Sequence, residues 1–298
     1  MLKVVIKNRK DLHEFYDERR RAYVFEDYVN EIIFEDNREL HTIVSEIYAP
    51  NAQIYMQHED VSLRKGAGIK AKAISSTNLY VEGDIEVTAL NGAHIECSGR
   101  IETDHIGVYT VRAKEIISNT VFATEVHVEQ IEANTVKADL LEYTSKYVRN
   151  LKVKEFIKNV KKVYDLEEFY NSIRNIYEVP ENVITITYNG DACLHIGHPL
   201  YAEYTSLEIN KLIAQEVVCY NIYSDYINCE RIKSKYIDSQ VIIAYEINCE
   251  NTIKCGYAQV MNLYTNKIKC LLLEVKDYRI DSPEPFSFDI TRLEKYRD

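Results

Sequence analysis

An aliphatic residue returns at every fifth position along much of this chain, and that spacing leaves few folds open. From Ile69 the run reads Ile69, Ile74, Leu79, Ile85, Leu90, Ile95, Ile101, Ile106, Val111, Ile116, Val121, Val126, Ile131, Val136 and Leu141, every step being five except two of six. If roughly one residue in four is Val, Ile or Leu, an unbroken run of this length has a chance on the order of one in a billion. Two residues after each aliphatic comes a second, mostly small position, as in Ala71, Ser76, Cys97, Thr103, Ala113, Ser118 and Ala133. The unit is large-x-small-x-x. A helix needs periods of three and four, and a hairpin meander needs longer strands, so neither fits.

Spacing by two puts both side chains on one face of a short strand, and the remaining residues turn the chain. Units this short hide their apolar face only by winding, so that successive coils stack and hydrogen-bond along an axis. The two six-steps fall sixteen residues apart, at Gly83-Asp84 and Gly99-Arg100. That spacing predicts three sides and about 15–16 residues per coil, with a four-sided, twenty-residue coil as the alternative.

The same rule returns as Leu207, Leu212, Val217, Ile222, Ile227, Ile232, Ile237, Ile242 and Ile247, then after one six-step as Ile253, Ala258, Leu263, Ile268 and Leu273. Ahead of each run lies a matching segment: Asp11-Leu12-His13-Glu14-Phe15-Tyr16-Asp17 and Asp165-Leu166-Glu167-Glu168-Phe169-Tyr170-Asn171 align 154 residues apart. Each reads as a short amphipathic helix opened by an Asp N-cap, followed by a strand, Glu31–Phe34 or Thr185–Tyr188. These leaders are placed to cover the exposed end of a solenoid. The predicted fold is all-β, a duplicated parallel β-helix with a short α-helical leader before each solenoid. Residues 1–68 form the first leader and its lead-in strands, 69–163 the first solenoid, 164–206 the second leader, 207–280 the second solenoid, and 281–298 a C-terminal extension that begins with the pattern break at Ser282-Pro283-Glu284-Pro285.

Chemistry-bearing motifs are sparse. Six of the seven cysteines, Cys97, Cys219, Cys229, Cys249, Cys255 and Cys270, occupy the small inward position, where a thiol packs as a small apolar group; a stacked metal or redox site is the competing reading. His195 and His198 form the closest histidine pair but lack a carboxylate motif to complete a metal site. His94, His105 and His127 fall at outward phases and read as solvated surface. Two- and three-residue corners leave no walls for a glycosidase groove, a hexapeptide acyltransferase would keep a period of six, and no phosphate loop or nucleophile elbow occurs. The expectation is no enzyme activity, no cofactor and no metal. Residues 1–30 hold no signal peptide or membrane span, which implies a cytoplasmic protein. A net charge of −11 argues against direct nucleic-acid binding.

Segments such as Leu79-Tyr80-Val81-Glu82-Gly83-Asp84-Ile85-Glu86-Val87 and Val126–Ala138 resemble the bactofilins, polymer-forming cytoskeletal proteins, and still more the pentad-repeat β-helix proteins of low-GC bacteria and their phages. More distantly the chain is similar to pentapeptide-repeat proteins. The bactofilin resemblance implies a three-sided, right-handed β-helix that self-associates and scaffolds without a bound nucleotide; the duplication and the helical leaders depart from that pattern. Outward-phase Tyr220, Tyr223, Tyr226, Tyr236 and Tyr245 are the candidate protein-binding residues, because exposed tyrosines suit interfaces. The reading is a self-associating scaffold that binds another protein. Its alternative is an acidic DNA mimic that occupies a nucleic-acid-processing or defence enzyme.

Overall fold

A computed structural model of the protein describes residues 2–35, 38–190, 192–280 and 289–295. The chain forms two compact units, Met1–Glu155 and Phe156–Asp298. Each is a parallel β-helix with a short helical segment at its start.

In the first unit one inward column shows how the coil settles. Val4 pairs with Ile32, Ile32 with Ile54, Ile54 with Ile74, and Ile74 with Leu90, and farther along Val121 pairs with Val136. The spacing shrinks from 28 residues to 15 as the connecting loops shorten to corners. The lead-in strand Glu46–Leu63 already completes a coil, with Ile47, Ile54 and Val61 opposite Ile69, Ile74 and Leu79. Three inward aliphatics per turn give three sides. Every aliphatic of both pentad runs is buried, and the small positions between them leave room for rows from the other sides to meet in the lumen.

The six-step corners use glycine for close approach. A Cβ on Gly99 would lie 2.8 Å from the carbonyl oxygen of Gly83 one coil away and would strike the Asp84 carboxylate, which accepts a hydrogen bond from the Arg100 amide at 2.8 Å.

The small inward positions are also hydrogen-bond donors. Ser234 Oγ lies 3.0 Å from Tyr236 O and 3.1 Å from Tyr220 O. Ser118 stands likewise toward Thr120 O and Asp104 O, and Cys249 Sγ toward Lys235 O. Corner carbonyls thus gain a donor from inside the coil in addition to backbone amides, as at Asn210 O, which accepts from the amides of Asp225 and Tyr226 and from Ser224 Oγ. Small size alone does not account for the recurrence of Ser, Thr and Cys there.

The leader geometry recurs in the second unit. Leu2 pairs with Val29 and Phe156 with Val183, and each ladder shifts register after its first residue. Tyr16 opposes Tyr23 and Tyr170 opposes Tyr177, both antiparallel. The expected Asp N-caps are corrected. The helix Arg9–His13 is capped by Asn8, whose side chain accepts from the amides of Lys10 and Asp11, and the second segment, Val163–Phe169, is a 3-10 helix preceded by Lys162. Asp11 and Asp165 lie inside the first turn and reach back to the amides of Lys7 and Lys161, at 2.8 and 2.7 Å. An Asp four residues after the amide it binds stiffens the chain's entry into the turn, a role that residue type alone does not separate from capping.

In the second unit the column Lys158, Ile186, Leu207, Ile222 tightens to the 15-residue coil within two turns. Strand Lys211–Ile280 then winds without interruption. The Ser282–Pro285 break lies outside the described residues, and the strand Asp289–Lys295 pairs in parallel with residues 269–275.

Candidate interaction surfaces

The expected tyrosines do not form one patch. Tyr220, Tyr223 and Tyr245 are 41%, 42% and 57% exposed, and Tyr226 and Tyr236 are half-buried. Tyr223 and Tyr236, near neighbours on consecutive coils, have ring centroids 5.8 Å apart. Lys235 Nζ sits 4.6 Å over the Tyr220 ring, and Lys254 Nζ sits 5.3 Å over that of Tyr236, whose hydroxyl donates to Asp238 at 2.9 Å. These contacts hold the rings of Tyr220 and Tyr236 in place, and Tyr220 stays exposed. The structure therefore brings Tyr220, Tyr223 and Tyr236 to one edge of the coil. Tyr226 lies at the far end of that side, and Tyr245 at the corner between the other two sides.

Sequence reasoning missed Tyr204, 58% exposed, which lines a surface groove with Tyr220, Lys235 and Glu250. It also passed over Tyr109, Phe122 and Tyr147 in the first unit, all exposed. Tyr109 meets His94 edge-on at 5.7 Å, and Phe122 meets His105 at 5.6 Å. The outward phase that selected the second-half tyrosines would have selected these as well.

The expectation of a solvated His127 is overturned. Its Nδ1 lies 2.6 Å from Glu142 and its Nε2 3.4 Å from Glu125, leaving the side chain only 16% exposed. The Glu142 carboxylate, with help from Glu125, raises the imidazole pKa above its ordinary value against the opposing effect of burial. His195 is exposed, whereas His198 is half-buried with its ring 5.2 Å from that of Tyr170. Among the described residues no group of three or more His, Cys, Asp and Glu side chains comes together as a metal site.

All seven cysteines are free. Burial pushes the Cys219 and Cys229 thiols up to about 12 and those of Cys97 and Cys249 up to about 11, which keeps them protonated and inert. Cys255 differs, being half-buried.

Along the first unit an open groove of about 490 Å³ is lined by Lys70, Glu86, Glu102, Ile117 and Glu132. Its lining includes a side-chain ladder in which Asn119 donates to Asp104 and Asn134 to Asn119, both at 2.8 Å. No helix among the described residues is long and apolar enough to cross a membrane. No protein-family model, curated protein or solved structure matches the chain.

Proposed function

We propose that this chain is a noncatalytic scaffold whose solenoid sides bind another protein and a second copy of itself. The observation that carries the reading is the edge formed by Tyr220, Tyr223 and Tyr236, where Tyr220 and Tyr223 stay open to solvent while Lys235 holds the ring of Tyr220 and Lys254 that of half-buried Tyr236. A tyrosine held on a hydrogen-bonded sheet loses little further freedom when a partner covers it, and it offers both apolar area and a hydroxyl. The likeness of the pentads to bactofilin sequence is in keeping with self-association.

A DNA mimic needs an unbroken row of free carboxylates. The outward column of the first unit that carries Glu86, Glu102 and Glu132 is interrupted by Lys70, which pairs with Glu86, and by Ile117, while Arg100 engages both Glu102 and Glu115. That distribution favours the scaffold.

The test is affinity capture from native cells together with mass measurement of the free protein, for wild type and for Tyr220→Ser/Tyr223→Ser. The wild type should exceed the monomer mass and retain a protein partner, and the variant should weaken both by about tenfold or more at an unchanged thermal midpoint. Full retention of both by the variant overturns the assignment. A nucleic-acid enzyme captured by the variant as well, and lost with Glu86→Gln/Glu102→Gln, would establish the mimic.

A further inference from the structure

Thiols recur on the inward columns of the second unit, but in one place only do two follow each other directly. Along one column the order is Cys219, Ser234, Cys249, with Cys219 Sγ 3.8 Å from Ser234 Oγ, so a hydroxyl separates the thiols. Along another, Ser224 and Ser239 are followed by Cys255 and then Cys270. Cys270 Sγ lies 3.7 Å from the carbonyl oxygen of Gly256, one residue beyond Cys255. Cys249 makes the equivalent contact with Lys235 O, one residue beyond Ser234. Cys270 therefore stacks directly on Cys255, one coil away on the same inward column.

Access is the second distinguishing property. Cys219, Cys229, Cys249 and Cys270 are buried, but Cys255 is half-buried and, with Cys270, lines an open groove of about 870 Å³. Lys254 and Lys269, the residues preceding the two cysteines, line the same groove. Asp238 lines that groove too, 4.0 Å from Lys254, so access to Cys255 and the second thiol on the next coil, rather than the local charge, mark the pair as a site that can be oxidised.

We propose that Cys255 and Cys270 form a modification site, a dithiol that a small hydroperoxide oxidises to a disulfide linking consecutive coils. Ionisation of the pair leaves one thiolate and one thiol, and proton exchange between neighbouring sulfurs places the charge on Cys255, the sulfur that solvent reaches. It attacks the peroxide: a sulfur–oxygen bond forms, the oxygen–oxygen bond breaks, and the departing oxyanion takes the proton left on Cys270. Cys270, now a thiolate, attacks Sγ of Cys255. The sulfur–sulfur bond forms, the sulfur–oxygen bond breaks, and hydroxide leaves. The two sulfurs give up two electrons and the peroxide gains two. Bridging neighbouring coils restricts the unfolded chain and raises the thermal midpoint.

The experiment treats the full folded chain with limiting hydrogen peroxide, unfolds it in an alkylating reagent and maps the peptides by mass. The expected result is one cross-linked pair, Cys255 with Cys270, reversed by a dithiol reductant, with Cys219, Cys229 and Cys249 alkylated as free thiols. Cys270→Ser should accumulate a sulfenic acid at Cys255 that dimedone traps, and Cys255→Ser should leave Cys270 unmodified. Absence of the cross-link in the wild type, oxidation spread evenly over the buried cysteines, or linkage of Cys255 to Cys193 instead would each overturn the proposal. The wild-type map decides even if a variant fails to fold.

Discussion

His127 Nδ1 stands 2.6 Å from Glu142 Oε2, a contact between residues 15 apart, one coil of the first unit. The carboxylate favours the imidazolium and raises the folded-state pKa above the ordinary 6.5. Protons then bind the folded chain more tightly than the unfolded one. The resulting stabilisation is fully present below about pH 6.5 and is lost as pH rises through the raised folded value. The thermal midpoint of wild type minus that of His127→Gln should therefore fall on going from pH 6 toward pH 9. A difference that is flat, or that grows with pH, would contradict the pairing.

Ser234 tests the corner-donor role of the small inward positions. Its hydroxyl faces the carbonyls of Tyr220 and Tyr236 from inside the coil. Ser234→Ala keeps the size but leaves the carbonyls without that donor, and should cost about 1–2 kcal/mol by urea unfolding. Ser234→Cys should cost less than about 1 kcal/mol, because Cys249 on the same column meets Lys235 O in the same manner at 3.4 Å. Equal losses from both variants would show that packing alone governs the position.

The inward pentads were legible because the coil repeats a residue class at a fixed step: Ile131 and Ile237, widely separated in sequence, are both sealed from solvent. The tyrosine edge was legible only by phase. That Tyr223 and Tyr236 meet while Tyr245 stands at another corner depends on the three-sided 15-residue coil, which the sequence suggests but does not establish. His127 was misread for a related reason, since its partner Glu142 is distant along the chain and adjacent only after winding. Nor does a period-five pattern predict a charged residue inside the lead-in column, where Lys158 stands.

Lys158 occupies the place that Val4 holds in the first unit. Its ammonium is buried 2.5 Å from Glu168 Oε1 and lies 6.0 Å over the Phe169 ring. Removing the cation with Lys158→Ala takes away both the stem's packing and the charge facing Glu168. Because Glu168 is partly open to water, the loss should be about 2 kcal/mol, below the range for fully buried pairs. Lys158→Met/Glu168→Gln, which restores apolar volume and removes the carboxylate charge, should return to within about 1 kcal/mol of wild type. Chemical denaturation followed in the second unit measures both; a double variant no better than Lys158→Ala would show that the charge pair itself is required.

The paired leaders supply the last prediction. Both hairpins turn through a left-handed residue, Arg21 at φ 54° in the first unit and Asn175 at φ 58° in the second. In each turn a side-chain oxygen, Asp17 Oδ1 or Asn171 Oδ1, accepts two backbone amides. The backbone geometry is thus shared and the residue in the costly conformation differs. Asn tolerates that region through its short polar side chain, and Arg does so less readily. Arg21→Asn should stabilise the first unit by up to about 1 kcal/mol, and Asn175→Ala should destabilise the second by a similar amount. A rise in thermal midpoint for one variant and a fall for the other is the signature. If Arg21→Asn lowered stability, the Arg21 side chain would have to contribute more than the strain its backbone carries.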